Sequence, residues 1–319
     1  RLAEAFRVLK PPWFRRGDSV WKHPVQGRRA EFIGGRTGRG VAGLAANGRA
    51  GYVGRQPSTP GKVIRQGRLF DRRSGRSVIV AIDHALDHGM IQGLEDMERL
   101  LTSLVAAEPD GLLVRPATLK QYASLLARRG GPALIAALDS RMTASVPGGE
   151  VMGEEHVLAT QVEEALALGA DAVKVLLIFG RKDLHVHAMN LHRVARVIAE
   201  AEKLGVPVMV ETVLWGLSIP KERRHDPGLI PHICRIGAEL GADIVKAPYA
   251  PGVYRELTAR LPVPVVILGG DVTGEEAMYE TVAQAVAEGA AGVAIGRNVF
   301  QAESPARVTA RLLEIVHGA

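Results

Sequence analysis

The chain of 319 residues is 47% hydrophobic, 23% charged and 4% aromatic, with one cysteine, a length that suits one large domain or two modest ones. A lone cysteine excludes an internal disulfide framework and a Cys-rich zinc site and points to a reducing, cytoplasmic setting; no apolar run approaches the length of a membrane span, and the N-terminus lacks the apolar core of a signal peptide. The net charge of +6 is misleading as a whole, because residues 1–60 hold twelve basic and three acidic groups while residues 61–319 hold 28 basic and 31 acidic ones.

Residues 1–60 are rich in Gly and Arg, as in the run GGRTGRG, and carry neither a period of 2 nor one of 3.6. Such a stretch offers too little apolar area to offset its ordering entropy. It is expected to be a disordered tail, or one not native to the enzyme. An arm for nucleic acid and a targeting peptide are the competing readings. The absence of methionine before Met90 also fits translated upstream sequence. The balance of these readings points away from nucleic acid as a partner.

From residue 75 onward the texture changes to a repeated alternation. Short β-branched runs at Val78–Asp83, Gly111–Arg115, Ala133–Leu138, Ala172–Phe179, Val208–Val213, Ile244–Ala247, Val265–Leu268 and Gly292–Ile295 read as buried strands. Helical spacing falls between them at Leu94–Val105, Leu119–Arg128, Val162–Leu168, Leu191–Leu204, Ile230–Leu240 and Ala277–Glu288. Eight strands alternating with helices predict an α/β fold, a (β/α)8 TIM barrel over residues 61–319. A doubly wound sheet would open on a Gly-rich phosphate turn, whereas here the glycine-rich strand ends come last.

An internal echo sharpens the register. Leu168-Gly-Ala-Asp-Ala-Val-Lys174, Leu240-Gly-Ala-Asp-Ile-Val-Lys246 and Glu288-Gly-Ala-Ala-Gly-Val-Ala294 enter strands four, six and eight in one phase. Alternate strands of such a barrel share an interior layer, so Lys174, Lys246 and Ala294 are expected at one height. Two interior lysines predict that at least one has a depressed pKa, as imine formation with a carbonyl needs. Plain ion pairing with barrel carboxylates is the alternative. Asp83 and Glu211 are the carboxylates placed for proton transfer. Gly269, Gly270, Gly296 and Arg297, at the ends of strands seven and eight, have the composition of a phosphate site.

The runs RSVIVAIDH (76–84), GLED (93–96), GAELGADIVKAPY (237–249), PVVILGGD (264–271) and GVAIGRNVFQ (292–301) resemble the DhnA-type, or archaeal-type, class I fructose-bisphosphate aldolase family. That family includes aminodideoxyheptulosonate synthases and autoinducer phosphate thiolases. The likeness begins at PGKVIRQGRLF (60–70) and runs to the C-terminus. It implies Lys246 as the Schiff-base lysine, Asp83 as acid/base, phosphate binding by Gly269, Gly270, Gly296 and Arg297, and a ring-built homo-oligomer such as a decamer. The implied reaction is reversible C–C cleavage of a phosphorylated ketose or ketone without a cofactor, and no metal is assigned. Thiolase-like acyl transfer from a phosphorylated dione by the same lysine is the nearest alternative.

The departures are local. Val213 stands where the family's aldolases often have a proton-transferring tyrosine, which passes the task to Asp83, Glu211 or another tyrosine such as Tyr249. Asp271 follows the phosphate glycines, where an acid is unwelcome unless Arg297 or Lys174 offsets it. Asp83-His84 with Asp87-His88, and His185 with His187, raise a metal-dependent lyase as a lesser alternative. Trp215 is placed to stack on a sugar or to pack on the rim. The long connection from Asp139 to Glu154 has the size of an active-site lid.

Overall fold

The computed structural model describes residues 59–141, 154 and 156–318. The basic tail and most of the 139–154 connection lie outside the described residues. Eight parallel strands close into a barrel: β1 (Ser77–Ala81), β2 (Gly111–Val114), β3 (Ala133–Ala137), β4 (Ala172–Ile178), β5 (Val208–Val213), β6 (Ile244–Ala247), β7 (Val265–Leu268) and β8 (Gly292–Ile295). Each pairs with its sequence neighbours, and β8 returns to β1 through Ser77 opposite Gly292. Closure leaves no strand edge unpaired within the ring.

The strands read as continuous apolar runs because both faces are covered. Outward residues such as Val78, Val80, Val245 and Ile267 pack under the helices, while Ile79, Leu113, Ile135, Met209, Val266 and Ala294 fill the interior. Leu69 and Phe70 join that interior group from the end of the helix Pro60–Leu69. Lys62 in that helix is buried, with its Nζ 2.8 Å from Asp243 Oδ2 and 2.6 Å from Glu202 Oε2.

Strand limits agree with the sequence expectation to within two residues. The helices differ more. Leu184–Leu204 begins seven residues before the expected Leu191, because Asp183 caps it by accepting from the amides of His185 and Val186. The expected Leu119–Arg128 is instead Pro116–Gln121 followed by Ala123–Leu126. Among the described residues, no helix is long and apolar enough to cross a membrane.

Candidate active site

The register places four side chains at one height. With Lys174 beside Met209, Met209 beside Ile244, Lys246 beside Val266, and Ala294 beside Ile79, the strand tilt brings Leu113, Lys174, Lys246 and Ala294 into one interior layer. The expected equivalence of the two lysines and Ala294 is met. Ala81, Ala137, Glu211 and Leu268 form the layer above it, and Asp83 lies above Ala81.

Lys174 and Lys246 converge on one carboxylate oxygen. Glu211 Oε2 is 3.0 Å from Lys174 Nζ and 3.1 Å from Lys246 Nζ. Lys174 Nζ also donates to Asp83 Oδ2 at 3.2 Å. All four side chains are buried, and their two positive and two negative charges balance, as a desolvated cluster requires. Lys174 lies between two carboxylates, whereas Glu211 is the carboxylate in contact with Lys246.

These contacts set the protonation states. Burial disfavours a charged Lys174, but Glu211 and Asp83 outweigh it and hold the ammonium above the ordinary lysine range. The expected depressed lysine pKa is therefore not found at Lys174, because ion pairing exceeds desolvation there. Burial also works against Asp83, yet Lys174, His84, Arg115 and Lys246 together hold its carboxyl well below the usual range. Glu211 is lowered in the same way, by Lys174 and then Lys246 against the cost of burial. Burial pushes His84 down to about 4, so it is neutral beside Asp83 at pH 7.

A buried arginine absent from the sequence expectation secures the upper rim. Arg115, one residue past β2, donates from Nε to the Asp83 carbonyl at 2.6 Å, from one terminal nitrogen to the Asp139 carbonyl, and from the other to Asp87 Oδ1 at 3.0 Å. One guanidinium thus ties the ends of β1, β2 and β3 together. Asp87 Oδ1 also accepts from Ser140 Oγ at 2.5 Å and from the amide of Arg141, so the Asp87 carboxylate is part of this clasp. Its signal in the sequence was a charge ending an apolar strand, in phase with Leu113.

Beyond the end of β3, side chains complete the edge of β4. Asp139 Oδ2 accepts from the Leu176 amide at 2.7 Å, while Asn190 donates to the Leu176 carbonyl and accepts from the Ile178 amide, both at 2.9 Å. They do for the upper half of β4 what a longer β3 would have done. Burial pushes Asp139 up to about 6. Glu154, from the far end of the long connection, accepts from the Lys182 and Leu217 amides, each at 2.5 Å.

Gly269 and Gly270 follow β7 and Gly296 follows β8, the positions expected from the sequence. Gly270 adopts φ +64°, and a Cβ on Gly296 would lie 2.4 Å from His84 Cε1 and 2.6 Å from the Ala81 carbonyl oxygen, so neither position tolerates a larger residue without rearrangement. Arg297 donates to the Gly270 carbonyl at 2.8 Å and to Asp271 Oδ1 at 3.0 Å. The offset of Asp271 by Arg297 is therefore real.

Other candidates lie elsewhere. Tyr249 packs in the outer layer against Tyr254, with burial and Glu288 raising its hydroxyl to about 12, so it does not reach the lysines. Trp215 packs with Leu176, Ile178, Val213 and Leu268 at the top of the barrel interior. His185, His187 and His192 occupy the first turns of the helix Leu184–Leu204. Among the described residues, no three His, Cys, Asp or Glu side chains converge as a metal site.

Residues 77–302 match the model of the DeoC/LacD family aldolases. A 2-amino-3,7-dideoxy-D-threo-hept-6-ulosonate synthase of Archaeoglobus fulgidus is 32% identical over 259 residues, covering 81% of this chain and 92% of its own. A 3-hydroxy-5-phosphonooxypentane-2,4-dione thiolase of an Enterobacter species is 29% identical over 262 residues, covering 79% and 80% respectively. Among solved structures, an archaeal fructose-1,6-bisphosphate aldolase with its catalytic lysine bound to the carbinolamine intermediate of its substrate superposes with a TM-score of 0.69 at 28% identity, over 81% of this chain and 100% of that one.

Proposed function

Because the chain belongs to the DeoC/LacD family of aldolases, we propose that it cleaves and forms a C–C bond of a phosphorylated ketose or ketone through an imine on Lys246. The observation that carries this reading is the convergence of Lys246 and Lys174 on Glu211. The two lysines have different surroundings. Lys174 is locked as a cation between Glu211 and Asp83 and is a poor nucleophile. Lys246 has Glu211 beside it to take a proton, and it stands on the strand where the family resemblance puts the imine.

In the forward direction, the Lys246 amine adds to the substrate carbonyl and water leaves, giving a protonated imine. That iminium accepts the electron pair released when the adjacent C–C bond breaks. A base removes the proton of the hydroxyl that becomes the aldehyde, and Asp83, the buried carboxylate just past β1 that accepts from Lys174, is assigned this role. The enamine is then protonated and the imine hydrolysed, which returns the amine. Glu211 relays protons at Nζ, and Lys174 supplies the fixed positive charge that keeps both carboxylates anionic. Phosphate would be held by the backbone of Gly269, Gly270 and Gly296 with Arg297, so binding energy far from the reacting bond aligns the carbonyl.

The test is borohydride reduction in the presence of a panel of phosphorylated ketones. The expected outcome is an irreversible mass increase on Lys246. No adduct with any substrate that the enzyme turns over would overturn the imine reading. Product analysis with and without coenzyme A separates aldol cleavage from acyl transfer, which one relative's name suggests.

A further inference from the structure

The end of β7 carries an anion of its own. Asp271 is 91% exposed along its side chain, and its carboxylate pairs with Arg297, itself 36% exposed. The loop has supports besides that pair. Asn298 donates to the carbonyls of Gly269 and Asp271, both at 3.2 Å, and accepts from the Thr273 amide at 3.3 Å. Arg297 reaches the Gly270 carbonyl independently of the carboxylate. His84 and His225 border the same glycines. The guanidinium that would meet an incoming anion is thus already paired with an exposed carboxylate.

We propose that Asp271 sets substrate specificity as an internal competitor for the anionic end of the substrate, leaving Arg297 when a phosphate group arrives. The proposal rests on reading Gly269, Gly270, Gly296 and Arg297 as the phosphate anchor. An exposed ion pair is weak and is broken readily. The displaced carboxylate nevertheless stays on the same short loop, where it repels a phosphate dianion. Phosphorylated ligands therefore bind less tightly than the anchor alone would hold them, and ligands without phosphate feel no such penalty. The consequence is a narrowed preference for phosphorylated over unphosphorylated carbonyl compounds and faster release of phosphorylated products.

The experiment measures the dissociation constant of inorganic phosphate by calorimetry for the full chain, for Asp271→Asn and for Arg297→Met. Asp271→Asn is expected to bind phosphate about three- to tenfold more tightly at low salt, with the gain shrinking near 0.5 M salt, roughly the range for a screened surface interaction. A damaged fold would not tighten binding. Borohydride trapping with dihydroxyacetone phosphate and with dihydroxyacetone supplies the second readout, and the half-saturating concentration is expected to fall for the phosphorylated ketone alone. Unchanged or weaker phosphate binding in Asp271→Asn, or an equal fall for both ketones, overturns the proposal. Should Arg297→Met leave phosphate binding unaltered, the anchor reading itself falls. Weakening by Arg297→Met without tightening by Asp271→Asn keeps the anchor and removes the competitor.

Discussion

At the scale of single residues, two lysines with the same sequence signature have different ion-pair partners, and the proposed reaction gives them different tasks. Lys246→Met is expected to abolish the borohydride adduct and to lower turnover by about a thousandfold or more, the usual scale for loss of a covalent nucleophile. Lys174→Met is expected to leave an adduct on Lys246, detectable by peptide mass, while turnover falls by about a hundredfold, as for loss of a group that tunes acid–base partners. It also removes the largest influence lowering Asp83 and Glu211. Both carboxylates should then protonate at higher pH, so the acid limb of kcat/KM is expected to move up. An unmoved acid limb would show that Lys174 does not control them. The lysines were legible in the sequence because each follows the same Gly-Ala-Asp turn by a fixed step. The Arg115–Asp87 clasp was not, since it joins three strand ends through loops and no spacing along the chain encodes their meeting.

Elements are held to one another by a few part-buried polar contacts whose removal has a defined sign. His317, in the last turn of the helix Pro305–His317, meets Asp110 Oδ2 through Nε2 at 2.9 Å and Ser74 Oγ through Nδ1 at 2.8 Å. Asp110 in turn accepts from the Val78 amide of β1 at 2.6 Å. The hydrogen bond to Asp110 raises the histidine pKa against the opposing effect of burial. A raised folded-state value means that the stabilisation is complete below the unfolded value, near 6.5, and fades as pH rises through the folded one. The Tm advantage over His317→Gln is therefore expected to be larger at pH 5.5 than at pH 9, by about one or two degrees given the contact's partial exposure. Lys62 gives a stronger case, because Lys62→Met leaves Asp243 half of a broken, largely buried pair. A loss of about 1–3 kcal/mol in chemical denaturation is expected. At this scale strands were more legible than helices. Buried parallel strands show as unbroken apolar runs, while the first two turns of Leu184–Leu204 interleave histidines with apolar residues and leave Leu184 exposed, so no apolar period marks them.

For the whole molecule, the charge asymmetry divides a basic front segment from a mildly acidic barrel. We propose that residues 1–58 are dispensable for catalysis. A chain beginning at Thr59 keeps the cap of the helix Pro60–Leu69, the Lys62 ion pairs and the Leu69–Phe70 plug. It is expected to retain the Tm of the full chain within about two degrees and the same rate of adduct formation. A large drop in either would make the front segment part of the enzyme. If that segment binds nucleic acid, the affinity should fall steeply with salt and vanish in the shorter chain.

The layer shared by Leu113, Lys174, Lys246 and Ala294 bears on how such an enzyme can change over time. Four strands deliver side chains to one level, and two of those seats already hold amines around a common acid. The seats are interchangeable in height but differ in neighbours, so a nucleophile can migrate between strands without rebuilding the barrel. A lysine introduced at Ala294 in a Lys246→Ala background should regain trapping with a carbonyl probe, at a rate set by how far its new surroundings depart from those Glu211 provides. If the amine of the proposed reaction can be moved in this way, the layer offers it a seat on more than one strand.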